Sequence, residues 1–243
     1  MKLIKLNATN STNAFLKRLV RENNVEDNTV VTARYQTGGK GQMGNHWNSE
    51  PGKNLMFSVF RRITFIDGSK QFYISMAVAM AVYEALKNMN IPDLAVKWPN
   101  DILSGNKKIG GILIENRIKG GKISSTVIGV GINVNQETFP GLPRAASLKS
   151  ITGLFREPGE LLQAILSAFE GYLNMLRSGS LAEVKSRYEA HLFRLHQPST
   201  FKDGKGTLFT GHIRGVTEEG KLLLGKEDGT IQSFALKEIE MLY

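Results

Sequence analysis

Hydrophobic and polar positions follow two periods along this chain, and each change of period marks an element. Residues 2–6 alternate as a strand does, and Asn10-Ser11-Thr12 then offers N-cap chemistry for a helix with Phe15, Leu16 and Leu19 on one face. Residues 29–35, rich in β-branched side chains, read as a buried strand that runs into a glycine-rich loop, and residues 53–60 read as another strand. Residues 71–89 set Phe72, Met76, Ala79, Met80, Tyr83 and Leu86 at helical spacing, which predicts a helix whose methionine-rich face is core. Residues 107–115 and 122–133 are apolar, β-branched runs joined by Lys119-Gly120-Gly121-Lys122, the pattern of an antiparallel hairpin. The Ser104-Gly105-Asn106 turn before them predicts a further hairpin strand at Ile102 and Leu103. Helices are expected over 160–176 and from Leu181 to about Phe193. From His196 onward the texture changes to short glycine-punctuated strands at 199–202, 206–216, 221–224 and 230–234, which predicts a small β-barrel appendage. The expected division is a larger domain over 1–193 and a small one over 194–243.

Composition narrows the chemistry. The 243 residues suffice for one large domain plus an appendage. With no cysteine, the chain has no disulfides, no thiolate zinc site and no Cys nucleophile for acyl transfer, and a reducing, cytoplasmic setting is expected. The N-terminus has basic residues without an apolar h-region, and no stretch approaches the roughly 18 apolar residues of a membrane span, so a soluble protein without export or membrane attachment is expected. An excess of 31 Lys+Arg over 22 Asp+Glu gives a formal charge of +9. That favours anionic partners such as nucleotides, acidic protein surfaces or nucleic acid, or it is simply a solvated basic surface. His46, His191, His196 and His212 lack metal-ligand spacing, and no Gly-x-Ser-x-Gly elbow or paired-carboxylate signature appears, which sets aside metal and serine hydrolases.

Four segments could carry chemistry. The first runs from Gln36 to Trp47 and includes Gly38, Gly39, Gly41 and Gly44, so backbone N–H groups can approach an anion, with Lys40 adding a mobile charge. It is neither a P-loop nor a dinucleotide fingerprint, and judged alone it is either an anion cradle or a flexible hairpin. The second is Lys97-Trp98-Pro99-Asn100-Asp101, where Asp101 could hold Mg²⁺ beside phosphate oxygens, or where an Asx turn simply packs a tryptophan. The third, Lys107-Lys108-Ile109-Gly110-Gly111, puts paired glycines in a strand, the sign of close backbone approach by a ligand or another chain, with Lys108 pointing at the same gap. The fourth, Gly129-Val130-Gly131-Ile132-Asn133, is a strand end of small residues with a polar tip.

In this order the four segments resemble the biotin-protein ligase family, whose motifs are an arginine-rich G-R-G-R-x-G-R-x-W loop, K-W-P-N-D, K-x-x-G-I-L-x-E and G-x-G-I-N. Residues 97–101 are identical to the second motif, Lys108 to Glu115 fits the third, and Gly129 to Asn133 completes the set. The resemblance covers the chain from about Ser11 onward. It implies an α+β fold: a mixed, largely antiparallel sheet with flanking helices, like class II synthetase catalytic domains, followed by a small SH3-like β-barrel. It also implies a two-step ATP-dependent reaction, in which biotin is activated as biotinyl-5′-AMP and then passed to a lysine of a biotin carboxyl carrier protein of acetyl-CoA carboxylase or a related carboxylase. Carried over position by position, it makes Ser11, Thr12, Gln36, Gly39, Lys40, Lys108 and Gly111 the biotin-binding residues. Gln42, Asn45, Trp47, Asn100, Asp101 and Asn133 become the nucleotide-binding ones, Lys108, Lys40 and Asp101 the catalytic ones, and Asp101 the Mg²⁺ ligand.

The loop departs from the family pattern. Gln42, Met43, Asn45 and His46 stand among residues where arginines are usual, and Lys40 is its one lysine or arginine. Neutral amides lack the bidentate, charge-assisted grip of arginine, so either the adenylate is held less tightly or Arg34 or other nearby cations compensate. The loop is expected to be mobile without ligand and to order over bound biotin and adenylate. Rival readings are a lipoate or octanoate ligase, disfavoured by Lys97 to Asp101, and a biotin-responsive DNA-binding repressor, disfavoured because ten residues before Ser11 leave no room for a helix-turn-helix. The expected enzyme is therefore a monofunctional one without nucleic-acid binding, monomeric or homodimeric.

Overall fold

The computed structural model describes residues 1–226 and 228–243. Strand β1 (Lys2–Thr9) pairs in parallel with β2 (Thr29–Gln36), and helix α1 (Thr12–Glu22) makes the crossover between them. Helix α1 starts where the sequence predicts, with the Ser11 side chain accepting from the Ala14 N–H, and it buries Leu16. The glycine-rich loop folds as a small hairpin of β3 (Gly39–Lys40) and β4 (His46–Trp47) around a single tight turn over Gln42–Gly44. Strand β5 (Leu55–Arg61) is buried along its whole length.

Helix α2 (Phe72–Asn88) is buried almost all round from Tyr73 to Leu86, more than a one-sided core face requires. The reason is its position, packed on β6 (Leu94–Lys97), β7 (Asp101–Ser104) and β8 (Lys107–Lys119) and covered by α4 (Pro158–Arg177) and α5 (Leu181–Ala190). Strand β9 (Lys122–Ile132) returns from β8 through Gly120 and Gly121, at φ 58° and 76°, the left-handed pair that a two-residue hairpin turn demands. The seven strands lie in the order β1-β2-β5-β9-β8-β7-β6, antiparallel except for β1 and β2.

The expected helix to about Phe193 ends earlier, at Ala190. Beyond it the chain turns to pair with β6: Val96 donates to the His191 carbonyl (2.8 Å) and Phe193 donates to the Val96 carbonyl (2.9 Å). The second sheet contains β10 (Pro198–Asp203), β11 (Leu208–Val216), β12 (Leu222–Gly225), β13 (Ile231–Phe234) and β14 (Ile239–Leu242). It is antiparallel in the order β13-β12-β11-β10-β14, and β13 and β14 are its edges among the described residues. The chain is thus α+β, with a large mixed sheet, flanking helices and a smaller antiparallel sheet. Sequence patterning missed β6, β14 and the short helix α3 (Leu148–Thr152), each only four or five residues long. Phe201, Ile213, Val216 and Leu224 of the second sheet are continuous with the core around α2 and α4. None of the described helices is long and apolar enough to cross a membrane.

Candidate active site

A cleft of about 1070 Å³ opens between the central strands β8 and β9, the glycine-rich loop and the second sheet. Strand alternation creates its floor. Gly129 and Gly131 share one face of β9, and Gly111 sits across from Gly131 on β8. A Cβ at Gly131 would lie 2.7 Å from the Trp47 indole, one at Gly129 would overlap the Asn13 side chain, and one at Gly111 would meet Trp47 at 3.5 Å. Gly110 points the other way, where a Cβ would lie 2.5 Å from Ile132. The paired glycines thus serve two faces: Gly110 lets the core close and Gly111 leaves the cleft open.

At one end of this floor lies a buried polar network. Gln36 Oε1 accepts from the Thr12 N–H (2.7 Å) and Oγ1–H (3.1 Å). Ser58 Oγ, fully buried, shares its proton between Thr12 Oγ1 (2.8 Å) and Asn13 Oδ1 (2.5 Å). Asn13 Nδ2 donates to the Leu113 carbonyl (3.2 Å) and to Glu115 (3.1 Å). These side chains from α1, β2, β5 and β8 satisfy one another, so the geometry of this end is largely set before any ligand arrives. Gly39 belongs to the same construction, since a side chain there would begin 2.9 Å from Gln36 Nε2.

The other end is charged. Lys108 Nζ lies 2.6 Å from Asp101 Oδ1, and both side chains keep some exposure to the cleft. Lys97 is mostly buried beside them. Desolvation holds its pKa below the usual lysine range, opposed by the Asp101 carboxylate and assisted by the Lys108 charge. Its ammonium lies 5.2 Å from the centre of the Tyr243 ring, and the Arg144 guanidinium stands 4.4 Å from the same centre. Burial also pushes the Tyr243 phenol up, with Asp101 adding to the shift. From the second sheet and its turns, Lys202, Asp203, Lys205, Lys237 and Glu240 complete the wall.

The structure gathers Ser11, Thr12, Gln36, Lys40, Gln42, Asn45, Trp47, Asn100, Asp101, Lys108 and Gly111 around this one cleft. Gly39, in the hairpin itself, and Asn133 are not on the cleft wall. Asn133 is buried and ties down the following segment, donating from Nδ2 to the Ala146 carbonyl (3.0 Å) and accepting from the Leu148 N–H (2.9 Å). Asn100 Nδ2 is committed to the Ile112 carbonyl (2.8 Å), one residue beyond the Asp101–Gly111 pair at the start of β7. Arg34, expected as a compensating cation, faces Gly52 rather than the cleft. Among the described residues no three His, Asp or Glu side chains cluster as a metal site, and Asp101 contributes a single carboxylate.

Sequence reasoning missed Asn13, Ser58 and the lysines of the second sheet. Ser58 and the lysines reach the site from distant parts of the chain, whereas Asn13 follows directly on Ser11 and Thr12, a signal the sequence did offer.

A family model described as the Biotin/lipoate A/B protein ligase family matches residues 6–133. The bifunctional ligase/repressor BirA of Bacillus spizizenii is 31% identical over 223 residues, 90% of this chain and 68% of that protein. The biotin--[acetyl-CoA-carboxylase] ligase of Paracoccus denitrificans is 29% identical over 223 residues, 89% of this chain and 91% of its own length. The solved structure of a biotin protein ligase from Aquifex aeolicus, in complex with biotin and ATP, superimposes with a TM-score of 0.82 at 29% identity over 99% of this chain and 98% of that one.

Proposed function

Because the chain is a ligase of the biotin/lipoate A/B protein ligase family, we propose that it joins biotin to ATP as biotinyl-5′-AMP and then transfers the biotinyl group to a lysine of a biotin carboxyl carrier protein in the cytoplasm. One observation carries this reading. A glycine-floored slot runs from the preset polar network of Thr12, Gln36 and Ser58 to the Lys108–Asp101 pair. A ligand with a hydrogen-bonding ring at one end, an apolar middle and a carboxylate at the other fits that order.

In the first step the biotin carboxylate oxygen attacks the α-phosphorus of ATP, and the bond to pyrophosphate breaks. In the second the acceptor amine attacks the acyl carbon of the mixed anhydride, AMP leaves and the amine loses a proton. Neither step needs a covalent enzyme intermediate, in keeping with a chain that lacks cysteine. Lys108 stands where the carboxylate and α-phosphate would meet, and its ammonium stabilises the charge that grows on their oxygens. Asp101 holds Lys108 in that place. Lys40, on the loop that covers the cleft, adds a second cation, and the loop orders over the adenylate. Mg²⁺ fits as an ion carried on triphosphate oxygens with Asp101 as a protein ligand, because the ion accepts one or two carboxylates with phosphate and water. When bound it would neutralise phosphate charge.

The test is pyrophosphate release from ATP with biotin, lipoate and octanoate offered separately. Release with biotin alone is expected; biotin-independent release, or release with lipoate only, overturns the reading. Lys108→Ala is expected to slow adenylation roughly 10²-fold or more. A near-normal rate removes Lys108 from the mechanism.

A further inference from the structure

Glu115 closes the third sequence segment, yet it is not on the cleft wall. Strand alternation puts it on the same face of β8 as Gly111 and Leu113, one step past the floor, where α1 crosses the sheet. Its two carboxylate oxygens hold successive positions of one helix face. Oε1 pairs with Lys17 (2.5 Å), and Oε2 accepts from Asn13 Nδ2 (3.1 Å). The Leu113 carbonyl accepts from the same nitrogen (3.2 Å).

Two acceptors at one end of the Asn13 side chain fix the orientation of its amide. The NH₂ group points at β8, so Oδ1 points at Ser58, and an amide oxygen only accepts. The Ser58 proton is drawn to this oxygen, 2.5 Å away, more than to Thr12 Oγ1 at 2.8 Å. Thr12 gives its own proton to Gln36 Oε1 (3.1 Å), which the Thr12 N–H also fixes (2.7 Å). Bond direction is thus set from β8 through to the cleft, which Thr12 and Gln36 line. There Thr12 Oγ1 is left with lone pairs, and Gln36 is left with Nε2 as its donor. An acceptor beside a donor matches a ring that carries N–H next to C=O. Without Glu115, the Leu113 carbonyl is one neutral acceptor in place of a charge-assisted one, and the Asn13 amide is free to turn over.

We propose that Glu115 is a positioning residue for adenylation: acting through Asn13 and Ser58, it sets hydrogen-bond direction at Thr12 and Gln36 and so selects a ring with N–H beside C=O. The assignment rests on the biotin reading above and adds to it a residue that touches no ligand atom.

The experiment uses the full-length protein and measures biotin-dependent pyrophosphate release, together with calorimetric binding of biotin and of 2-iminobiotin, in which C=N–H replaces the ureido C=O. The parent should prefer biotin by about 10²-fold, because a site built to donate to an oxygen rejects a group that itself donates. Glu115→Ala is expected to raise the KM for biotin about tenfold, leave the KM for ATP within about twofold, and shrink the preference over 2-iminobiotin at least about fivefold. Glu115→Gln, which keeps an oxygen for Asn13, recovers most of the loss. Asn13→Asp sets a carboxylate against Glu115 and weakens biotin. Adding Glu115→Gln, whose amide can donate to that carboxylate, restores part of the affinity, so the two substitutions are non-additive. An unchanged preference in Glu115→Ala overturns the proposal, as does an equal loss for biotin and ATP, which a purely structural tie would give. If Glu115→Ala lowers Tm markedly, Asn13→Asp with and without Glu115→Gln decides, and simple additivity overturns it. The Asn13 side-chain amide, followed by NMR without ligand, should exchange slowly in the parent and at least about tenfold faster in Glu115→Ala. That readout judges the Glu115–Asn13–Ser58 chain even where absence of biotin-dependent pyrophosphate release defeats the proposed function; equal exchange in the two proteins overturns the proposal.

Discussion

Gly129 and Gly131 occupy successive positions on the cleft face of β9, and the space that they leave is filled from two directions, by Asn13 and by Trp47. Asn13 cannot retreat, because its amide bridges the Leu113 carbonyl and Glu115 while its oxygen meets Ser58. Gly129→Ala is therefore expected to overpack a rigid site and cost about 1–3 kcal/mol, seen as a lower Tm, together with a loss of biotin affinity as Thr12 and Gln36 are displaced. Gly111→Ala is the contrasting case. Its Cβ would find ordinary contact, 3.5 Å from Trp47, so Tm should stay near the parent while ligand affinity falls. Equal effects on Tm from the two substitutions would contradict this account of the floor.

The elements behind the site are joined by their ends. At the C-cap of α5, His191 stacks on Tyr83 of α2 at 4.1 Å, and its carbonyl accepts from Val96 of β6. Burial holds the His191 pKa below its ordinary value of 6.5, the Lys87 charge adds to this, and Glu84 opposes it. A histidine with a depressed folded pKa binds its proton more readily in the unfolded chain. Its contribution to stability is therefore present above the unfolded pKa and is lost as pH falls below about 6.5 toward the folded value. Melting curves between pH 7.5 and 5 should show a decline that His191→Phe, which keeps the stack without the proton, makes shallower. An identical slope in the two proteins would assign the decline to other groups.

At the scale of the whole molecule, the two sheets meet through Trp98. Its Nε1 donates to the Gly220 carbonyl (2.9 Å) in the turn between β11 and β12. Gly220, at φ 89°, sits so close to Phe72 that a side chain there would overlap the ring. Val216 donates to Glu189 (2.8 Å) and Lys70 pairs with Glu218 (3.3 Å) around the same turn. Trp98→Phe should cost about 1 kcal/mol, the worth of one part-buried hydrogen bond, and lower amide-exchange protection over 208–225. Because the second sheet supplies lysines to the charged end of the cleft, the same variant should weaken ATP more than biotin. Unchanged protection would show that packing alone holds the sheets together.

Much of this was legible in the chain itself. Long periodic segments such as α2, α4 and the β8–β9 hairpin announce themselves because each carries many positions with one burial rule, and the glycine pair at 120–121 fixes the turn by its own conformational freedom. Lys97 to Asp101 and Lys108 to Gly111 were readable as chemistry because neighbouring residues carry them on adjoining strands. What local pattern could not yield are the elements whose stability comes from partners: β6 and β14, four residues each, and α3 at five, which have too few positions to show a period. The same holds for contacts between residues far apart in the chain, such as Asn13 with Gly129, Trp98 with Gly220, and Arg144 and Lys97 with Tyr243. The sequence by itself determined the long strands and helices and the glycine-rich loop, since backbone propensity and burial period act over neighbouring residues. The tertiary structure decided which face of β9 becomes a floor and which cations gather at the charged end of the cleft, because those depend on pairing register and on where separate segments come to rest.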